Sequence, residues 1–213
     1  MRRLDEFGKL VLSLTVVFFF VGCNKAGDLV FIIEGEIFDK SFNEKLQNGT
    51  VQLFRVPTAT TQEILIATQN VSNGKYSFTF PRDMSERYIL SFSKDNYFDE
   101  VHEVHFSQLE VGKAYKLNFI AEAIAMMNWV LVDQNPSNPN NSVIVQKLSG
   151  RIIGQGVCPN QQYEFFGGAQ SDTLRCAVGG NQFVKFYILQ LPDFTLDSVY
   201  CPAFQNVYYT VNF

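Results

Sequence analysis

The sequence predicts an all-β fold, arranged as two β-sandwich domains behind an N-terminal signal segment. Two observations carry this expectation. Short runs alternate apolar and polar residues with period two: Tyr76, Phe78 and Phe80 share one face against Lys75, Ser77 and Thr79, and Tyr88, Leu90 and Phe92 repeat the pattern. The chain of 213 residues is also rich in Phe (21) and Tyr (9) beside many Val and Ile, a mix that favours strands.

At the N-terminus Arg2, Arg3 and Lys9 surround an apolar run over residues 10–21. A positive start and a short apolar core make a secretory signal peptide. The run is well short of the roughly 20 residues that a spanning helix needs. Asp5 and Glu6 are untypical of such a positive region. The run ends in Phe20-Val21-Gly22-Cys23, which resembles the bacterial lipobox, with Phe20 where Leu is usual. The resemblance implies a signal peptide over residues 1–22, a lipidated Cys23 and a polar tether over residues 23–28. A plain signal peptide and an uncleaved anchor are the alternatives. Two or more acyl chains on Cys23 would hold the protein on a membrane stably.

Removal of residues 1–22 leaves 14 basic against 19 acidic residues, a formal charge of −5. An acidic chain with no basic cluster gains nothing from phosphate counterion release, so nucleic acid is excluded as a partner.

In residues 29–121, strands are expected at 29–38, 49–56, 64–68, 75–80, 88–93, 101–106 and 114–119, with a hairpin signal at Asn73-Gly74. The segments "IIEGEIFD" (32–39), "LQNGTVQLF" (46–54), "SNGKYSF" (72–78), "RYILSFSKDNYF" (87–98) and "YKLNF" (115–119) follow one another at suitable spacing. Together they resemble a carboxypeptidase-regulatory-like domain of the transthyretin-like sandwich type. Asn96 stands where that family has Gly, and Asn can adopt the left-handed backbone that Gly would supply. Ser72 replaces the usual acidic residue. Residues 122–213 read as a second β-sandwich, with strands at 126–134, 141–148, 172–178, 182–190 and 206–213 and a turn-rich loop at 135–141. This arrangement resembles second domains of Bacteroidetes-type lipoproteins.

Besides Cys23 there are Cys158, Cys176 and Cys201. In an oxidising compartment three thiols suggest one disulfide and one leftover. The pair Cys158–Cys201 leads, because both precede Pro and fall at strand ends or in loops. A pair using Cys176, and no bond at all, remain open, since sequence does not fix connectivity.

Candidate chemistry is sparse. His102 and His105 would share a helix face but lie on opposite faces of a strand, which argues against a metal pair. No nucleophile, base and orienter can be assembled. Glu34 and Glu36 share a strand face as paired carboxylates would, yet read as a solvated edge. Asp95, Asn96 and Asp99 could hold calcium but lack the dense spacing of a dedicated loop. Trp129 lies in an apolar strand and reads as core rather than as a sugar platform. Thr173 and Ser198 follow Asp and precede an apolar residue, which resembles the O-glycosylation acceptor of Bacteroidetes-type exported proteins. The transthyretin-like fold also hosts hydrolases that end in a Tyr-Arg-Gly-Ser-type motif, whereas this sequence closes on Tyr209-Thr210-Val211-Asn212-Phe213.

No cofactor and no metal site are expected. The sequence reading is an exported, non-catalytic lipoprotein of the bacterial envelope, held at the outer membrane through Cys23 on its periplasmic or surface face. Its role would be binding or adhesion toward glycan or protein. An assembly subunit of an envelope complex is the alternative, and a hydrolase with no assignable residues the weakest.

Overall fold

The computed structural model describes residues 29–138, 141–154, 156–168 and 171–213. The signal segment, Cys23 and the tether lie outside them. The described residues are strands and connections, apart from one 3-10 turn, Phe106–Gln108. No helix among them is long and apolar enough to cross a membrane.

In chain order the first half carries β1 (Val30–Asp39), β2 (Glu44–Lys45), β3 (Thr50–Pro57), β4 (Ile64–Asn70), β5 (Lys75–Pro81), β6 (Ser85–Ser93), β7 (Glu100–His105), β8 (Ala114–Lys116) and β9 (Phe119–Ala121). One sheet is built on β1, which pairs antiparallel with β2 and β5 and parallel with β8 and then β9. The other runs β4-β3-β6-β7. Period-two alternation decides which side chains meet between them. Phe31, Ile33, Tyr76, Phe78 and Phe80 are buried from one sheet, and Leu53, Tyr88, Leu90 and Phe92 from the other. Ring contacts such as Phe80–Tyr88, 4.9 Å between centroids, tie the two layers together.

The Asn73-Gly74 signal forms its tight turn, with φ of 53° and 68°, as a primed turn demands. Its strands do not form a hairpin ladder, however. β4 pairs with β3 and β5 with β1, so the turn carries the chain from one sheet to the other. Asn96 adopts the expected left-handed backbone, φ 62°.

At one end of this core Asp83 accepts bonds from Arg55 (2.5 Å), Tyr88 (3.0 Å) and the Ser85 hydroxyl. Burial alone would raise its carboxyl. The bonds from Ser85, Tyr88 and Arg55 outweigh burial and hold it below the ordinary 3.8. The Tyr88 hydroxyl is pushed up to about 12 by burial and by Asp83.

The second half carries β10 (Ile124–Val132), β11 (Ser142–Lys147), β12 (Gln162–Phe166), β13 (Ser171–Gly179), β14 (Gln182–Gln190), β15 (Asp193–Cys201) and β16 (Asn206–Asn212). The sheet β13-β10-β16 packs on the sheet β12-β11-β14-β15. Trp129 is 1% exposed and meets Phe186 edge-on at 5.9 Å, so it is core, as expected. The turn-rich loop is fastened by Asp133, which accepts the backbone N–H of Asn135 (2.9 Å) and Gly168 (3.1 Å) and the Asn141 side-chain amide (2.9 Å). Strands β12 and β15 were not anticipated.

The disulfide joins Cys158 to Cys176, not to Cys201. Cys176 sits on β13 opposite Met127. The segment before Cys158 runs alongside β13 through a bridge between Val157 and Ala177, and the Cys158 N–H donates to the Ala177 carbonyl (3.0 Å). That places the two Cα atoms 5.0 Å apart. Cys201, at the end of β15, is a buried free thiol, raised to about 11 by its burial.

The two cores meet at a polar junction. Phe98 donates to the Glu122 carbonyl (3.0 Å), Ile124 to Asn96 (2.8 Å) and Gly180 to Ala123 (2.7 Å). Ala203, from the loop after β15, is buried in the core of the first half. The Glu122 carboxylate, itself buried, faces Lys40 (3.2 Å), Gln182 (3.0 Å) and Arg151 (3.9 Å). Gly179 makes room for it, since a Cβ there would fall 2.2 Å from the Glu122 Oε1 atom and 1.8 Å from the Gln182 amide. Lys147, 1% exposed, donates to the Arg151 carbonyl. Burial lowers its ammonium, and the Glu122 charge opposes that shift in part.

Two outcomes follow from this packing. Peptide mapping without reductant should recover a 158–176 crosslink, with Cys201 alkylated only after unfolding. The bond closes a loop of 18 residues in sequence, so Cys176→Ser should cost about 3 kcal/mol; alkylation of Cys201 in the folded protein would contradict this. Asp83→Asn should cost about 1–2 kcal/mol at pH 7 in urea titrations. Because the folded-state carboxyl lies below its unfolded value, its contribution is complete above 3.8 and fades as pH falls through the folded value. The gap between variant and native should therefore narrow below pH 3.8.

Candidate functional site

The outer face of the sheet β12-β11-β14-β15 exposes large apolar side chains. On β14, Val184 and Phe186 point into the core, so the alternation turns Phe183, Lys185, Tyr187 and Leu189 outward. The register sets Phe183 beside Tyr200, Lys185 beside Ser198, Tyr187 beside Leu196 and Leu189 beside Phe194 on β15. Across β11 the face continues through Gln146 and Ile144 to Gln162 and Glu164 on β12, with Phe166 at its corner. Phe183 is 63% exposed and Leu196 65%; Phe166, Phe194 and Tyr200 are exposed as well. The rings of Phe183 and Tyr200 lie 5.3 Å apart and those of Tyr187 and Phe194 5.4 Å. Gln162 donates to the Tyr187 hydroxyl (2.6 Å).

Single exposed apolar residues need no explanation, but a contiguous patch marks an interaction surface. Rings, amides, hydroxyls, the Lys185 ammonium and the Glu164 carboxylate on one sheet face can press against the C–H face of a sugar or the apolar side of a protein segment.

On the core-facing side of β15, Val199 and Cys201 pack on the core, while Asp193, Thr195 and Asp197 remain exposed. Besides its ladder with β14, the strand is held by Tyr209 of β16, whose hydroxyl donates to Asp197. That bond and the Ser198 N–H (2.6 Å) hold the Asp197 carboxyl below its ordinary value. The Tyr209 hydroxyl is raised to about 12 by burial and by Asp197.

Of the residues singled out in the sequence, Ser198 lies on this outer face, exposed, between Leu196 and Tyr200. Thr173 is exposed on β13, in the opposite sheet. Cys158 and Cys176 form the disulfide away from the face. His102 packs edge-on to Phe119 at 5.0 Å, while His105 is exposed at the start of the 3-10 turn. Glu36 pairs with Lys45 at 2.9 Å, and that hydrogen bond and charge lower its carboxyl. A general acid needs the opposite shift. Asp95 and Asp99 border a polar recess with Asn48, Thr50 and Asn70. Among the described residues no group of three or more His, Cys, Asp or Glu could hold a metal. Phe183, Tyr187, Phe194, Leu196 and Tyr200 were not expected as a set from the sequence. Their signal was the period-two run Phe194, Leu196, Ser198, Tyr200.

No protein-family model matches the chain, and no curated protein matches it. Solved structures resemble it weakly. The Bacillus anthracis TIE protein is 10% identical with a TM-score of 0.38 over 86% of this chain, which spans about a third (34%) of that protein. The minor pilin GBS52 of Streptococcus agalactiae is 9% identical with a TM-score of 0.33 over 85% of this chain and 94% of its own. A candidate adhesin from Bacteroides ovatus is 10% identical with a TM-score of 0.36 over 90% of this chain and 96% of its own. Likeness at this level carries no argument about function.

Proposed function

We propose that this chain is a non-catalytic lipoprotein of the bacterial envelope that binds glycan or protein through the outer face of β12-β11-β14-β15. The carrying observation is the pair of exposed aromatic clusters on this face, Phe183 with Tyr200 and Tyr187 with Phe194 and Leu196, on either side of Lys185 and Ser198. A soluble domain seldom leaves such clusters open without a partner for them. The lipobox-like Cys23 supports an anchor at the outer membrane, and the acidic charge speaks against nucleic acid. The resemblance of residues 29–121 to a transthyretin-like accessory module fits a binding role. Assembly into an envelope complex is the second reading, favoured by β15 standing at the sheet edge with β14 as its one ladder partner among the described residues. Such an edge can accept an added strand.

Binding to glycan and envelope-protein arrays should be lost in the combined variant Phe183→Ala/Phe194→Ala/Leu196→Ala, with the melting temperature kept, because all three side chains are exposed. Equal binding by variant and native protein, or no binding by either, would overturn the reading. Cys23→Ala should move the protein from the detergent phase to the aqueous phase on Triton X-114 partitioning; retention in the detergent phase would exclude the anchor.

A further inference from the structure

The junction between the two cores holds a recess of about 320 Å³ that shares no residue with the outer sheet face. One wall is aromatic. Phe42, from the turn after β1, and Phe204, from the loop after β15, stack at 5.8 Å with their planes 21° apart, and Tyr97 closes on Phe204 at 5.6 Å. Phe42 is 43% exposed and Phe204 52%. Phe204 has φ of 65°, a backbone that bulky side chains seldom adopt. Its N–H donates to the Ile124 carbonyl (2.7 Å), and the adjoining Ala203 is buried in the neighbouring core. The fold therefore holds this ring outward.

The other wall is acidic. Buried Asp39 accepts the N–H groups of Ser41 (3.0 Å) and Phe42 (3.2 Å) and the Tyr97 hydroxyl (2.6 Å), so it fixes the aromatic wall. Glu44 and Asp95 are exposed on the rim. Three carboxylates and one lysine, Lys94, thus line the recess. The Lys94 ammonium already sits 4.4 Å from the centre of the Tyr97 ring and donates to the Gln47 carbonyl (2.8 Å).

We infer that this recess receives a lysine or arginine side chain from an extended segment of a partner protein. The cation lies on the Phe42–Phe204 pair and is neutralised by Glu44 and Asp95. Aromatic faces attract cations through their ring quadrupole, and the excess of carboxylates over Lys94 supplies the complementary charge. A cation on exposed rings gains only a few-fold in affinity. A free amine therefore has little to hold it, whereas a peptide also presents backbone groups to the polar rim at Gln47 and Asn96.

The test is a nitrogen-15 NMR titration of the full chain with a capped pentapeptide, one central lysine among glycines. The same peptide with its lysine acetylated, and tetramethylammonium chloride, serve as controls. Shifts should centre on residues 42, 95, 97 and 204, weaken with added salt and be absent with the acetylated peptide. Phe204→Gly suits the left-handed backbone while removing the ring, and should weaken binding about threefold. Glu44→Gln should weaken it similarly, and Lys94→Gln, which removes the competing ammonium, should tighten it about twofold. Equal shifts with the acetylated peptide, shifts centred elsewhere, or full binding by a folded Phe204→Gly variant would overturn the inference. Tetramethylammonium binding as tightly as the peptide would overturn the assignment to a protein segment.

Discussion

The arrangement of the molecule depends on the buried carboxylate of Glu122. A charge removed from water needs partners, and leaving it unpaired costs several kcal/mol. Its partners come from far apart in sequence: Lys40 just after β1, Gln182 at the start of β14, and Arg151, which also reaches Glu100 at 2.5 Å. Satisfying one carboxylate therefore draws both halves of the chain to one point. Gly179 permits the approach, and Arg151 lies over the Phe98 ring at 4.7 Å. Buried Lys147 lies in the same neighbourhood, where the Glu122 charge opposes the lowering of its ammonium by burial.

The two candidate surfaces stand differently toward this junction. The outer sheet face belongs to the second half alone, and the β11–β14–β15 ladders set its side chains next to one another. The recess draws residues from both halves: Phe42 and Tyr97 from one, Phe204 from the other. Its geometry exists only while the halves stay docked. Asn181 adds to that docking, donating to the Ser41 carbonyl (3.0 Å) while accepting from the Ala203 N–H (2.9 Å).

Most strands were legible because their apolar residues fall on the core side, as in β5 and β6. β15 escaped because its pattern is inverted. Phe194, Leu196 and Tyr200 face solvent while Asp193, Thr195 and Asp197 face the core edge, so the usual rule of apolar-inside gave no strand of the ordinary kind. The Asn73-Gly74 turn was legible as local geometry, but which strands pair on either side is settled by packing over long range. The cysteine pairing failed for a similar reason: proline after Cys158 and Cys201 reports local backbone, whereas the bond follows the neighbour that β13 supplies. The recess was illegible because Phe42, Tyr97 and Phe204 are brought together only by the junction.

Scanning calorimetry of the native protein and of Glu122→Ala tests the central claim, that one buried carboxylate locks the two cores into a unit. The native protein should unfold in a single transition with equal calorimetric and van't Hoff enthalpies. Glu122→Ala should melt earlier and split into two transitions. Two separate transitions in the native protein, or a single unshifted transition in the variant, would contradict the account.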